Sequence, residues 1–131
     1  MCRVRTRLAS GYLVIQGLAG AAWWVGLAGW PSLRSHFLPA GAPDWPLLSF
    51  WMADLCLFVV GSWACAVCLC RSSRAASAAL WFTSGAVSYA CLYCLGTSLL
   101  TGEAWLSTAL MCPAAVCTLA ITVVIPRKDV P

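Results

Sequence analysis

Asp54 is the residue whose type and position most clearly suggest chemistry. It is the only acidic or basic side chain well inside the long apolar segment at residues 47–70. A charge at the centre of a membrane-inserted helix costs about 2.5–3.5 kcal/mol, so such a carboxylate is a functional-site hypothesis by default. Three roles are open for it: a hydrogen-bonded strut between helices, an anchor for a ligand, and a proton-coupled transport residue.

Polar side chains elsewhere in the chain are candidate partners for Asp54 in a ligand-binding pocket. Gln16 lies near the middle of the first apolar segment, and Ser88 lies on a serine-bearing face of the third. Arg34 and His36 lie in a connection from which they can reach down and pair with the carboxylate. The predicted ligand-binding set is therefore Asp54, Arg34, His36, Gln16 and Ser88.

Cysteine accounts for nine of the 131 residues, so thiol chemistry is a second hypothesis. Cys91 and Cys94 have the C-x-x-C spacing, which is similar to that of four-helix membrane disulfide-forming enzymes of the quinone-linked and vitamin K-linked types. That resemblance implies a thiol–disulfide oxidoreductase that uses these two residues. The helix dipole argues against it, because the motif lies near a predicted helix C-terminus, where a thiolate is destabilised.

No metal site, cofactor or nucleic-acid surface is predicted. The cysteines at positions 65, 68 and 70 have no histidine or carboxylate beside them to complete a metal site. His36 is the single histidine and lies in a loop, without a positioned catalytic partner. The net charge of +4 comes from basic residues at the ends of apolar segments, which is typical of membrane topology signals. An enzyme is not favoured.

The composition indicates an integral membrane protein. Apolar residues make up 62% of the chain and charged residues 9%, and the mean hydropathy is +0.86. A spanning helix needs about 20 mainly apolar residues. Four segments meet this requirement: 8–29, 47–70, 75–96 and 104–125. We therefore predict one all-α transmembrane domain over residues 1–131, an up-down-up-down four-helix bundle with loops at 30–46 and 97–103 and a tight turn at 71–74.

The basic residues predict how this bundle is oriented. They precede the first segment, fill the second connection and follow the last segment, at Arg3, Arg5, Arg7, Arg71, Arg74, Arg127 and Lys128. By the positive-inside rule both termini and the 71–74 turn are cytoplasmic, in the plasma (inner) membrane if the protein is bacterial. The first segment also has the outline of a cleavable signal peptide, but its apolar run is long enough to remain as a spanning helix.

Local signals predict helix caps and faces. Asp44 is expected to cap the second helix, and Thr101 to cap the fourth, with Glu103 in its first turn. Helical spacing from Asp54 places Phe58, Gly61, Cys65 and Cys68 toward the bundle interior. Leu55, Val59 and Trp63 then face lipid.

These features support one leading function and three alternatives. The leading hypothesis is an outward-facing polar pocket around Asp54 that binds a small molecule or lipid. The alternatives are a structural or assembly subunit that contacts itself or another membrane protein through small residues of its first helix, the oxidoreductase, and a small proton-coupled transporter. Small multidrug exporters are similar in size and helix count, but they carry their carboxylate in the first helix, where this chain has Gln16.

Overall fold

The structure is a computed structural model that describes residues 2–125, with side chains described from residue 4. All regular structure in this range is helical. Four helical stretches are long and apolar enough to cross a membrane: Val4–Gly29, Trp45–Cys70, Ala76–Thr101 and Trp105–Val124. The prediction of an all-helical protein with four helices long and apolar enough to span a membrane is thus confirmed. Arg127 and Lys128, which the topology prediction used, lie outside the described residues.

The first span is a single long helix, α1, which runs Cys2–Gly29. It begins well before residue 8, the predicted start, because the arginine-bearing segment ahead of the apolar run is also helical. A short helix, α2, follows at Pro31–Arg34, with proline in its first turn. Proline suits that position because the first N–H groups of a helix have no intrahelical partner.

The second span is built from several pieces. It consists of α3 (Trp45–Ser49), α4 (Trp51–Ala53), a π-helical segment (Asp54–Val60) and α5 (Gly61–Cys70). A π-helical turn holds more residues than an α-helical turn, so it shifts which side chains face inward. Val59 is consequently only 1% exposed, and the prediction that it faces lipid is wrong. Cys65 is fully buried, as the predicted inward stripe requires.

The third and fourth spans are α6 (Ala76–Thr101) and α7 (Trp105–Val124). Helix α6 runs on to Thr101, so the predicted loop at 97–103 is a turn of residues 102–104. Gly102 ends the helix in the left-handed conformation, with φ of 72°, which glycine adopts without a steric penalty. Thr101 therefore belongs to α6, and α7 begins after Ala104 with no side-chain cap, contrary to the predicted roles of Thr101 and Glu103.

The spans form two helix pairs. In the first pair, α1 packs on the second span, where Ser10 Oγ donates to the Ala66 carbonyl at 3.3 Å. In the second pair, α6 packs on α7, where Ser98 Oγ lies 2.9 Å from Thr108 Oγ1. Near the 71–75 connection, the two pairs share an apolar core, which includes Leu13, Cys65, Leu69 and Leu80.

The opposite end of the bundle is covered by residues 30–44, and we call it the capped end. Phe37 is buried there, with its ring centroid 4.1 Å from that of Trp23 in an edge-on arrangement. The Ala40 N–H donates to the Glu103 carboxylate, and Ser107 Oγ donates to the Phe37 carbonyl at 3.4 Å. The first connection is thus tied to the turn between α6 and α7.

Candidate ligand cavity

A cavity of about 920 Å³ lies between the two helix pairs, within the apolar part of the bundle. All four spans line it: α1 contributes Trp24, the second span Asp54, α6 Tyr89 and α7 Met111. Small-molecule pockets in proteins generally measure about 300–1,000 Å³ and are mostly apolar with a few placed polar groups. The cavity has this size and this kind of lining.

The cavity opens on the flank of the bundle. Ile15, Tyr89 and Leu110 line it and are nevertheless 67%, 67% and 52% exposed. Tyr89 lies near the middle of α6, far from either end of its span. The opening therefore lies at the depth of the spans themselves, not only at the capped end.

Asp54 lies in the cavity wall as the first residue of the π-helical segment. Its backbone N–H donates to the Phe50 carbonyl at 2.9 Å, so the helix continues through it. Its carboxyl group meets the side chain of Trp24 on α1, whose indole N–H can only donate. Cys94 of α6 lines the same cavity. The structure thus brings Asp54 to the seam between the helix pairs.

Gln16 joins three spans at the cavity floor. Its Nε2 donates to Ser62 Oγ of α5 at 3.1 Å, and its Oε1 accepts from Thr118 Oγ1 of α7 at 2.9 Å. The side chain is 6% exposed and also lines the cavity. A primary amide has two donors and two acceptor positions, so one of each is left for a further partner. Gln16 and Asp54 are the two residues of the predicted ligand-binding set that line the cavity.

Arg34 does not pair with Asp54. Its Nη1 lies 3.0 Å from Asp44 Oδ2, and its Nε donates to the Leu27 carbonyl at 2.8 Å. The last carbonyls of a helix have no intrahelical partner and attract a cation, which explains why Arg34 folds back over the end of α1. Asp44 consequently makes no capping hydrogen bond at α3, contrary to the prediction.

The other predicted pocket residues lie away from the cavity wall. His36 is exposed at the capped end, where its neighbour Phe37 turns inward instead. Ser88 is half-buried and does not line the cavity, because α6 presents the faces of Gly85, Tyr89 and Ala90 to it. The sequence-based set is therefore divided, with two residues in the wall and three outside it.

Aromatic side chains form much of the wall and were missed in the predicted set. Phe50 and Phe58 stand four residues before and after Asp54, and both line the cavity with it. The ring of Phe50 packs on Tyr93 of α6, with the centroids 4.7 Å apart. The signal was present in the sequence as an aromatic at four residues on either side of the intramembrane acid. This spacing alone did not reveal a cavity wall, because the opposing ring, Tyr93, comes from another span.

One of the two C-x-x-C thiols contacts a cysteine outside the motif. Cys91 Sγ lies 3.4 Å from Cys112 Sγ of α7, across the second helix pair. Cys94 instead lines the cavity, and Cys91 and Cys94 are both free thiols. The sequence suggested a pair within one helix, whereas the fold brings together thiols from two helices.

Small residues of α1 receive aromatic rings from the same chain. A Cβ added at Gly17 would overlap Nε1 of Trp63, and one added at Gly20 would lie 2.8 Å from the ring of Phe58. Trp63, which was expected to face lipid, is 37% exposed and packs on α1 in this way. The assembly hypothesis relied on this helix, and these two glycines already have intrachain contacts.

The described cavity wall is mostly apolar and holds one acidic side chain, Asp54. Within residues 4–125, no group of three or more His, Cys, Asp or Glu side chains is arranged to hold a metal ion. Comparison with protein-family models, with curated proteins and with solved structures finds no match to this chain. What the geometry offers is a carboxyl group and an amide on the wall of a large aromatic cavity.

Proposed function

We propose that this protein binds a lipophilic small molecule or a lipid within the membrane, with Asp54 as the polar anchor of the site. The observation that carries the proposal is the cavity of about 920 Å³, to which all four spans contribute and whose wall includes Asp54. An intramembrane acid is usually paired or functional. Since the predicted cationic partner Arg34 is bound to Asp44, a ligand is the partner that the site favours.

The opening on the flank supports entry from the bilayer. A ligand dissolved in the hydrocarbon region would meet the half-exposed lining residues Ile15, Tyr89 and Leu110 directly. Tyrosine is enriched at membrane interfaces, so an exposed Tyr89 at mid-span is better explained by a ligand path than by lipid contact alone. The Arg34–Asp44 ion pair and the buried Phe37 lie over the capped end.

The site belongs to the non-cytoplasmic half of the protein in this proposal. The positive-inside rule puts the 71–74 turn and both termini in the cytoplasm, so the capped end faces outward. Lys128 is the only lysine in the chain, which gives a direct test. A membrane-impermeant amine reagent should label a His36→Lys variant at residue 36 in intact cells and at Lys128 only after permeabilisation. Labelling with the opposite pattern would reverse the proposed orientation.

Photolabelling tests the binding function. A neutral aliphatic alcohol with an aryl diazirine is irradiated with the protein in phosphatidylcholine nanodiscs, and labelled residues are identified by mass spectrometry. We expect saturable labelling at Tyr89 and Met111, reduced by excess unlabelled alcohol. Labelling that rises linearly with probe concentration at every lipid-facing position would contradict a binding site.

A matched pair of variants separates cavity binding from lipid contact. Ala90 lines the cavity, whereas Ala120 is exposed on α7 and does not line it. Ala90→Trp should fill the cavity and abolish saturable labelling, and Ala120→Trp should leave it unchanged. Equal loss in both variants would indicate a general effect of tryptophan and not occupation of the cavity.

A further inference from the structure

The charges around the cavity are unbalanced. Asp54 lines it, and no Lys, Arg or His does so among the described residues. The nearest connection places Arg34 on Asp44 and leaves His36 exposed at the capped end. Arg71 and Arg74 lie in the connection at the opposite end. A half-buried carboxylate inside a membrane span is costly without a cation, so the cavity is complementary to a positively charged group.

Aromatic rings flank the carboxyl group on several sides. Trp24 contacts it from α1, and Phe50 and Phe58 stand on either side of it along the second span. Aromatic faces attract ammonium groups through their quadrupole, and this attraction is strongest in desolvated sites. The same rings provide apolar surface for a hydrocarbon tail. One wall therefore suits both ends of an amphiphilic cation.

We infer that the ligand is a lipophilic amine whose ammonium group pairs with Asp54 while its apolar body fills the rest of the cavity. This inference rests on the proposed binding function and adds the chemical class of the ligand. The ammonium could belong to a free long-chain amine or to an aminophospholipid headgroup. A phospholipid also brings a phosphate, for which the described wall has no cation, so the free amine is the better fit.

Two probes that differ only in their polar group test the inference. An aryl-diazirine amine and the alcohol of the same length are compared in phosphatidylcholine nanodiscs, and labelling at Tyr89 and Met111 is normalised to labelling at lipid-facing residues. We expect half-saturation at an about tenfold lower concentration for the amine. Asp54→Asn should bring the half-saturation concentrations of the two probes to the same value, whereas Asp54→Glu should keep the preference.

Controls make the result specific to this carboxylate. Asp44→Asn removes a carboxylate at the capped end, so it should leave the amine preference unchanged. Unlabelled dodecylamine should compete with the amine probe, and added phosphatidylethanolamine should not. Size-exclusion elution and the unfolding midpoint of Asp54→Asn confirm that the variant is folded. Should it not fold, the comparison of the two probes on the unaltered protein still decides whether the amine is preferred.

The experiment distinguishes failure of the amine inference from failure of the proposed binding function. Saturable labelling by both probes with equal affinity would overturn the amine class and leave the binding function in place. Competition by phosphatidylethanolamine would overturn the free amine in favour of a lipid headgroup. Absence of saturable labelling by either probe would overturn the binding function itself.

Discussion

Gln16→Leu removes a side chain that joins three spans, and its cost can be worked out from the contacts. Gln16 donates to Ser62 and accepts from Thr118. Hydrogen bonds between membrane helices contribute about 0.6 kcal/mol each on average. Both hydroxyls keep a carbonyl acceptor in the same span: Ser62 Oγ lies 2.6 Å from the Phe58 carbonyl, and Thr118 Oγ1 lies 2.7 Å from the Ala114 carbonyl. No donor is therefore orphaned, and we expect a loss of about 1 kcal/mol in the free energy of unfolding.

A double-mutant cycle measures the Gln16–Thr118 bond itself. Thr118→Val conserves shape, and its coupling to Gln16→Leu should be about 0.6 kcal/mol. Thr122 is a matched control, because its hydroxyl contacts the Thr118 and Leu80 carbonyls and not Gln16. The coupling of Thr122→Val to Gln16→Leu should be zero within about 0.3 kcal/mol. Unfolding is followed by tryptophan fluorescence during titration of sodium dodecyl sulfate into mixed micelles.

Two results would refute this reasoning. A loss above about 3 kcal/mol for Gln16→Leu is the size expected when buried groups lose all their partners, so the retained backbone acceptors would not be compensating. A Gln16–Thr118 coupling no larger than that of the control pair would mean that the bond does not hold the spans together. If Gln16→Leu leaves the stability unchanged but abolishes probe labelling, then Gln16 serves to bind the ligand and not to hold the spans together.

Three further outcomes follow from the packing. Gly17→Ala should lower the free energy of unfolding by about 1–3 kcal/mol, because the added Cβ overlaps an indole ring. The control is Gly85→Ala, whose Cβ meets nothing within 4 Å and should not lower it. Unfolding titrations measure both variants. Mild oxidation should form a disulfide between Cys91 and Cys112, because their sulfur atoms lie 3.4 Å apart. If peptide mapping finds Cys91 bonded to any other cysteine, the packing of α6 on α7 is contradicted. Arg34→Gln should cost about 1 kcal/mol and speed proteolysis within residues 35–43, since the cation no longer binds the end of α1; an unchanged cleavage rate would count against its role as a clamp.

The number of spans could be predicted from the sequence because membrane insertion depends on local composition. Each span needs about 20 apolar residues to match the hydrocarbon thickness, and this can be counted along the chain. The helix ends were less predictable. Gly102 ends α6 through a left-handed backbone conformation, and the arginine-bearing start of α1 stays helical although it is polar. Hydropathy carries no information on either.

The faces of the second span were predicted in part. Cys65 is buried as expected, since the inward stripe follows helical spacing. Val59 is also buried, because the π-helical segment at Asp54–Val60 changes the number of residues per turn. A fixed helical period cannot anticipate such a segment.

The sequence alone predicted that this chain enters a membrane and singled out Asp54, since both inferences depend on the local free-energy cost in a low-dielectric environment. The tertiary structure decided which groups Asp54 meets. It assigned Arg34 to the end of α1, placed Trp24 against the carboxyl group and paired Cys91 with Cys112. These contacts depend on how neighbouring helices pack side by side and on how the first connection folds back over α1, which no local pattern encodes.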